Sequence, residues 1–550
     1  MEKITVGGFF MEKIHDKRVK GIALLFLILI ILLAAKTAYI QIFCHERFES
    51  EASMQQEMAI EGLDTRGMIL DRNLMPLTGG VKEYYYIIPE SLKNKRLEEI
   101  TQAMGAKQIA KDGSKYLVYK TGIFDYENGK ILENDYEAYI FSTAARYSDN
   151  QLAAHFIGYL NEDEKVGVSG IEKMYQKTLC SDNSNLMIRV DAGGNILRGF
   201  SPVIETDCCN DKGNGVMNSR SVVTSLDRRL QYMCEKSLSE HTTSGAAVVS
   251  RCDSGEILAW ASVPSFDPDD IESYLNRGDC LINKVSQGAY APGSVFKVVT
   301  AAAAMENNIC DDKKTFECKG TVTVNGITLG CSNAPPEGHG EIDMNEAMAV
   351  SCNCYFAQLA EEIGSENIVM QAEKMGFGRT VLDGFPEESI GNIPDVSEVG
   401  SWDVTNLAIG QGEILATPLQ INNMISLIAS GGKLIPARIV TGDEEHKNKQ
   451  QPRQILKPET AHSIENMLAS VMDMGTGSAD WQLPVWGKTG TAEAGAGGEE
   501  KNCWFTGYCS IGTEKYAVTV FAQNGVSGSA TAMPVFKEIT EFLKKASENK

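Results

Sequence analysis

The sequence has little positive charge and only one long apolar stretch, and both shortages exclude classes of function. Its 550 residues include 51 lysines and arginines against 73 aspartates and glutamates, a net charge of −22. Because nucleic acids and anionic lipid surfaces attract basic proteins, this balance indicates neither partner. Beyond residue 43 no segment is apolar enough to cross a bilayer. The chain has no internal repeat, and its length is sufficient for more than one domain with a sizeable core.

The long apolar stretch covers residues 21–43, and Lys36 is its single charged residue. At about 1.5 Å per residue, a helix of this length spans a bilayer core of about 30 Å. A cluster of basic residues lies just before it: Lys13, Lys17, Arg18 and Lys20. Because basic residues stay on the cytoplasmic side, we expect residues 1–20 to form a cytoplasmic tail and the rest of the chain to be exported. A cleaved signal peptide is the alternative, but the stretch is long for one and lacks a clear small-residue cleavage site.

Ser294 and Lys297 form the first of three motifs that carry chemistry. A Pro-Gly pair precedes the serine, and the mostly apolar stretch up to about Glu306 contains no helix breaker. This pattern predicts a buried helix that begins at Ser294, with the hydroxyl and the amine on one face because they are three residues apart. Free N–H groups at a helix start also suit a developing oxyanion. A capping serine followed by a surface lysine is the alternative, but Lys297 is flanked by apolar residues.

Ser351 and Asn353 form the second motif, after a helix-like stretch at 345–350. They are predicted to begin another helix, which ends at Gly364. The serine hydroxyl could relay a proton between Lys297 and a leaving group, and the asparagine amide could bind a substrate amide. The alternative is that Ser351 only caps the helix.

Lys488, Thr489, Gly490 and Thr491 form the third motif, in a predicted strand that follows residues 483–486. The glycine would let a substrate backbone approach an edge strand closely. The lysine would supply a fixed positive charge, and the two threonine hydroxyls could bind a carboxylate. A glycine-rich turn in an ordinary sheet is the alternative.

In this order the three motifs resemble the active-site triplet of penicillin-recognising acyl transferases. Nearly the whole chain resembles a class B high-molecular-mass penicillin-binding protein, which is a peptidoglycan D,D-transpeptidase. Five further segments carry the resemblance: 66–73, 167–172, 224–231, 245–259 and 410–420.

The resemblance implies an α+β fold with an antiparallel five-stranded sheet flanked by helices, which we place at residues 219–547. Two predicted strands before a long helical middle and three after it agree with such a sheet. An elongated N-terminal pedestal, of the dimerisation-domain type, is expected at 44–218 behind the transmembrane helix at 21–43. The polar run 206–215 is the predicted linker.

The resemblance also implies a two-step acyl transfer. Lys297, kept neutral by burial and by the nearby charge of Lys488, would deprotonate Ser294. The serine would attack the penultimate D-Ala carbonyl of a pentapeptide stem, with the N–H groups of Ser294 and Thr491 binding the oxyanion. Ser351 would protonate the departing D-Ala, and an amine of a second stem would then release the acyl group. β-Lactams would mimic the donor and acylate the serine.

The partners implied are stem pentapeptides, β-lactams and a polytopic membrane glycan polymerase, with no cofactor and no nucleic acid. A β-lactamase or D,D-carboxypeptidase would share the triplet but differ in deacylation, and the glutamate motif of class A lactamases is absent. A non-enzymatic β-lactam sensor resembles multi-span zinc proteases, whereas this sequence has one apolar span and no H-E-x-x-H.

Fourteen cysteines are many for an exported protein. Cys318 and Cys331 flank a strand-turn-strand segment and could pair as a disulfide. Four others are expected to remain thiols: Cys208, Cys209, Cys352 and Cys354. No spacing is typical of a metal site, and His339, in a turn-rich loop, is expected to be structural. The sequence therefore predicts no metal.

Overall fold

A computed structural model of the chain describes twelve segments: residues 5–44, 57–60, 66–109, 115–161, 166–180, 185–191, 196–197, 203–205, 221–395, 404–441, 451–494 and 500–548. They belong to two compact units. The first comprises Met1–Thr65, Tyr84–Ser142 and Asn183–Asp211, and the second comprises Arg66–Glu83, Thr143–Asp182 and Lys212–Lys550. The predicted linker at 206–215, with Cys208 and Cys209, lies outside the described residues.

The first unit begins with a helix at Thr5–Phe43. Its part Val19–Phe43 has a mean hydropathy of 2.5, and none of it is buried within the protein. The predicted apolar helix is therefore present, and by length and composition it can cross a membrane.

The other described residues of the first unit form two sheets and two α-helices. Helices Lys95–Ala103 and Tyr126–Asp135 follow Asn94 and Asp125, whose side chains each accept a backbone N–H in the first turn. Side chains of both helices and of the larger sheet form one buried core. The larger sheet has four strands, in spatial order Lys107–Gln108, Tyr116–Thr121, Lys82–Pro89 and Tyr139–Ala144, and the smaller has Glu57–Ile60, Asn185–Arg189 and Val203–Glu205.

The second unit is built on one five-stranded sheet. Its strands, in chain order, are β1 (Gly245–Arg251), β2 (Ile257–Val263), β3 (Val485–Ala494), β4 (Glu500–Ile511) and β5 (Glu514–Gln523). In space the order is β2-β1-β5-β4-β3, and every neighbouring pair is antiparallel. The predicted α+β fold with an antiparallel five-stranded sheet is confirmed.

Helices cover this sheet on both faces. Every residue of β2, and all but the last of β1, is buried, and successive side chains of a strand point to opposite faces. The covering helices include Arg228–His241, Pro418–Ala429 and Met533–Glu548. The first begins at an aspartate N-cap and the second at a Thr-Gln capping box, so the sequence fixes where each starts.

In the long middle of the chain, between β2 and β3, helices predominate among the regular elements, as predicted. Two of its helices carry the motifs and are called α1 (Lys297–Glu306) and α2 (Asn353–Ile363). Its other helices are Met344–Ala349, Ser365–Lys374, Val404–Ala408, Pro418–Ala429 and Pro458–Asp473. The smaller elements of this unit are strands Ile69–Leu70, Val222–Val223, Lys433–Leu434 and Arg453–Gln454, and helices Ala154–Ile157, Gly170–Met174 and Gln176–Leu179.

A small β-rich insertion lies between α1 and α2. Strands Thr321–Val324 and Ile327–Gly330 form a hairpin, joined by an Asn-Gly turn in which both residues have positive φ, 50° and 83°. Asn-Gly is favoured in such turns because both residues tolerate this conformation. Phe316–Cys318 pairs with Gly340–Ile342, which brings the two ends of the insertion together.

Candidate active site

Ser294 lies at the junction of the helical middle and the sheet. It occupies a 3-10 turn, Gly293–Phe296, and α1 begins at Lys297. The helix start predicted at Ser294 is therefore three residues early, because the first turn is wound more tightly than an α-helix. Gly293 has φ +55°, and a Cβ there would come within 3.1 Å of the Thr491 carbonyl oxygen. Glycine thus permits the close approach of the serine turn to β3.

Lys297 is completely buried and joins the first motif to the second. Its Nζ donates to the Ser351 carbonyl oxygen at 2.8 Å and to Asn353 Oδ1 at 2.7 Å, and it lies 3.3 Å from Ser351 Oγ. This geometry rules out the alternative of a surface lysine behind a capping serine.

Lys488 is also completely buried, and it reaches the same serine from β3. Its Nζ donates to Ser351 Oγ at 2.9 Å and to the Thr489 carbonyl oxygen at 3.0 Å. The hydroxyl of Ser351 therefore lies between two lysine amines, where it can pass a proton from one to the other.

Burial shifts the pKa of both lysines. It lowers the pKa of Lys297 from 10.5 to about 8. Burial, and then the positive charge of Lys297, lower the pKa of Lys488 well below its ordinary value. Burial lowers the pKa of Lys297, as expected. The repulsion between the two amines lowers the pKa of Lys488 rather than that of Lys297. Burial and this repulsion thus disfavour the positive charge that the sequence suggested for Lys488.

Ser351 has a left-handed backbone, with φ +57°, which is costly for a residue other than glycine. The helix cap after it is the side chain of Cys352, whose Sγ accepts the N–H of Tyr355 at 3.4 Å. The alternative that Ser351 is only an N-cap is therefore wrong. Asn353 Nδ2 donates to the Gly330 carbonyl oxygen at 3.2 Å, so the β insertion holds this amide.

The third motif lies on β3, which is the strand at one edge of the sheet and pairs with β4. A Cβ at Gly490 would lie 2.7 Å from Val295 Cγ2 and 3.0 Å from the Pro292 carbonyl oxygen. The glycine thus makes room for the serine turn as well as for any substrate. Thr491 is exposed, while Thr489 is nearly buried.

Two hydroxyl contacts on β3 had no sequence signal. Thr489 Oγ1 lies 2.6 Å from Thr476 Oγ1, and Thr491 Oγ1 accepts the N–H of Gly528 at 3.1 Å. Thr476 comes from a turn and Gly528 from the start of a short π-helix, Gly528–Ala532, and neither belongs to a motif. These two contacts orient the threonine hydroxyls. The structure brings all eight site residues predicted from the sequence to one place.

Four potential metal ligands converge beside the second motif. We call them the thiol–imidazole cluster: Cys318, Cys331, His339 and Cys352, whose four donor atoms all lie within 4.8 Å of one another. The cysteines are free, so the predicted disulfide between Cys318 and Cys331 is wrong. His339, predicted to be merely structural, has its Nδ1 against two of the thiols. A set of sulfur and imidazole donors suits a soft divalent metal ion, which no spacing in the sequence had indicated.

Comparison with known proteins identifies the class. A family model described as the penicillin binding protein transpeptidase domain matches residues 245–541, and one described as the penicillin-binding protein dimerisation domain matches residues 63–205. The chain belongs to the penicillin-binding proteins, as a class B D,D-transpeptidase. The predicted family is thereby confirmed.

The alignments with similar proteins cover most of both chains. Peptidoglycan D,D-transpeptidase MrdA of Salmonella typhimurium is 24% identical, over 92% of each chain. The structure of penicillin-binding protein PBP2 with MreC from Helicobacter pylori is 24% identical, with a TM-score of 0.68 over 89% of this chain and 99% of that one. A structure of a peptidoglycan synthase complex that coordinates polymerization and crosslinking is 22% identical, with a TM-score of 0.69 over 95% and 97%.

Proposed function

We propose that this protein is a membrane-anchored serine transpeptidase that cross-links peptidoglycan stem peptides and is acylated by β-lactams at Ser294. The observation that carries the proposal is the buried pair of amines on either side of the Ser351 hydroxyl, 3.3 Å and 2.9 Å away. A buried amine that gives up its proton near neutral pH is a base suited to activating a hydroxyl.

In the first step, neutral Lys297 takes the proton of Ser294, and the serine oxygen attacks the penultimate D-Ala carbonyl of a donor stem. The negative charge that develops on the carbonyl oxygen would be bound by the N–H groups of Ser294 and Thr491. The supporting geometry is the close approach of Gly293 to Thr491, which brings the serine turn against β3.

In the second step, the C–N bond breaks and the departing D-Ala amine needs a proton. Ser351 can supply it and regain one from a lysine, because its hydroxyl lies between the amines of Lys297 and Lys488. An amine of a neighbouring stem then attacks the ester, which releases Ser294 and forms the cross-link.

The donor would lie along β3, the edge strand of the sheet, where an extended peptide can pair as an added strand. Its terminal carboxylate would meet Lys488, Thr489 and Thr491, with Gly490 leaving room for the backbone. An anion at this position raises the pKa of Lys488, so binding itself would protonate that amine. β-Lactams carry an equivalent carboxylate and a reactive amide.

The helix Val19–Phe43 would anchor the protein in the cell membrane as a single span. The basic residues before it favour a cytoplasmic N-terminus and an extracytoplasmic catalytic domain. A cross-linking enzyme needs a source of glycan chains, so the proposed partner is a polytopic membrane glycan polymerase. The similar synthase complex, in which polymerization and crosslinking are coordinated, supports this proposal.

The rate of β-lactam acylation is expected to rise with pH between about 6 and 8 and then to level off. Lys297, with its pKa lowered to about 8, gains the neutral form needed for base catalysis over this range, and each pH unit below about 8 should cost about tenfold. A lysine with the ordinary pKa of 10.5 would continue to gain activity well beyond this range. Stopped-flow acylation with a chromogenic cephalosporin would measure the profile, and a flat profile would refute this role of Lys297.

The acyl-enzyme formed with penicillin is expected to persist for many minutes. In the described part of the chain, the hydrogen-bond partners of Lys297 and Lys488 are carbonyl, hydroxyl and amide oxygens, with no carboxylate to activate a water. Acylation with fluorescent penicillin, followed by a chase with unlabelled drug, would give the lifetime. Several turnovers per second would instead place the protein among the β-lactam hydrolases.

A further inference from the structure

The thiol–imidazole cluster brings together residues from four separate positions in the chain. Cys318 ends a strand that pairs with Gly340–Ile342, so His339 comes beside it. Cys331 directly follows the hairpin, and Cys352 begins α2. All three cysteines are buried, and His339 is half-buried.

The spacing of the donor atoms fits one tetrahedral metal ion. Zinc–sulfur bonds of about 2.3 Å and zinc–nitrogen bonds of about 2.0 Å, at tetrahedral angles, place neighbouring donors about 3.5–3.8 Å apart. In the cluster, His339 Nδ1 lies 3.5 Å from Cys318 Sγ and 3.7 Å from Cys331 Sγ. Cys331 Sγ lies 3.8 Å from Cys352 Sγ. A disulfide would use only two of these atoms and would leave the convergence of the others unexplained.

The cluster is connected to the catalytic residues by covalent and hydrogen bonds. Cys352 stands between Ser351 and Asn353 in sequence and also caps α2. Cys331 follows Gly330, whose carbonyl oxygen accepts a hydrogen bond from Asn353. Ser351 is held in a costly left-handed conformation, which persists only when its surroundings fix it. A ligand that joins Cys331 to Cys352 would fix the segment on both sides.

We propose that Cys318, Cys331, His339 and Cys352 bind one Zn²⁺ ion and that this ion positions the Ser351–Asn353 segment. Oxidation of the thiols releases the ion and therefore switches the active site off. On binding, each thiol loses its proton and its sulfur donates an electron pair to the metal, as does one imidazole nitrogen. Three thiolates with one imidazole favour zinc over hard cations such as Mg²⁺ or Ca²⁺. The positioning role rests on the proposed transpeptidase function, while metal binding does not.

The oxidation step balances with a two-electron oxidant such as diamide. Two zinc-bound thiolates each give one electron and join as a disulfide, the azo bond of diamide accepts the two electrons with two protons from solvent, and Zn²⁺ leaves. Dithiothreitol reverses the reaction by thiol–disulfide exchange, and added Zn²⁺ then reloads the site.

Metal analysis of the full-length protein tests the site without any use of activity. Purified in detergent under reducing conditions and reloaded with Zn²⁺, it should hold about one zinc more than Cys318→Ser or His339→Gln, two changes outside the catalytic triplet. Cys280→Ser is the matched control, since its partly exposed thiol donates to the Arg277 carbonyl oxygen away from the cluster, and it should bind metal as the wild type does. Replacement of zinc by Co²⁺ should give a thiolate-to-metal charge-transfer band and intense tetrahedral bands, weakened in both cluster variants. Equal zinc in all four proteins, or no such bands, would overturn the site.

The positioning role is tested by acylation of the same proteins. Removal of zinc, His339→Gln and diamide should each slow β-lactam acylation about 10- to 100-fold, and zinc with dithiothreitol should restore the wild type after removal or oxidation. Unchanged acylation after complete zinc loss would overturn the positioning and the switch. A protein that binds zinc at this site but is never acylated would instead refute the proposed function and leave the metal site standing.

Discussion

Replacement of Ser294 by alanine is expected to abolish covalent labelling by fluorescent penicillin, by more than about a thousandfold. The serine oxygen is the only atom in the proposed mechanism that bonds to the drug, so no other group can substitute for it. Gel fluorescence measures the loss, and peptide mass spectrometry of the wild type should place the adduct on Ser294.

Ser286→Ala is a suitable control for this experiment. Ser286 is almost completely buried, and its hydroxyl has no hydrogen-bond partner among the described residues, so its removal should leave labelling intact. An adduct on any other serine of the wild type, or labelling that survives in Ser294→Ala, would contradict the mechanism.

Lys297→Arg is expected to slow acylation by at least about a hundredfold while the protein stays folded. Arginine keeps the positive charge, but a guanidinium does not lose its proton in proteins and cannot act as the base. The second-order rate constant with a chromogenic cephalosporin would measure the effect, and thermal unfolding would verify the fold.

The matched control for this variant is Lys284→Arg. Lys284 is also fully buried, is paired with Asp279 at 2.8 Å and lies outside the site. Its replacement tests whether a larger buried cation disturbs the domain in general, and acylation should survive it. Near-normal acylation by Lys297→Arg would exclude Lys297 as the base.

The sequence was sufficient to predict those features that depend on short, local residue patterns. The three motifs, the apolar helix and the strands of the central sheet each follow from short patterns of polarity, glycine and proline, and the family resemblance supplied their arrangement. The pKa of Lys297 was also foreseeable in direction, because a lysine within an apolar helix is buried.

The rest depends on contacts between distant segments. Thr476 reaches Thr489 from a turn, and each donor of the thiol–imidazole cluster stands alone in its own element, so neither produces a spacing that a motif search detects. The predicted disulfide between Cys318 and Cys331 failed for the same reason. The hairpin does bring both residues close together, but His339 and Cys352 lie at the same point. The proximity of two cysteines was therefore not enough to predict a disulfide.

The shared contact of Lys297 and Lys488 with Ser351 has a consequence for substrate selection. Burial disfavours the charged form of both amines, and the charge of Lys297 further disfavours that of Lys488. In the proposed mechanism an incoming carboxylate would favour the charged form of Lys488 while Lys297 remains a base. The donor's negative charge would thus prepare the catalyst as well as bind to it. Discrimination against stems without a free carboxylate would then appear in the rate of acylation, and a peptide amide would be a poor donor even at concentrations that fill the site.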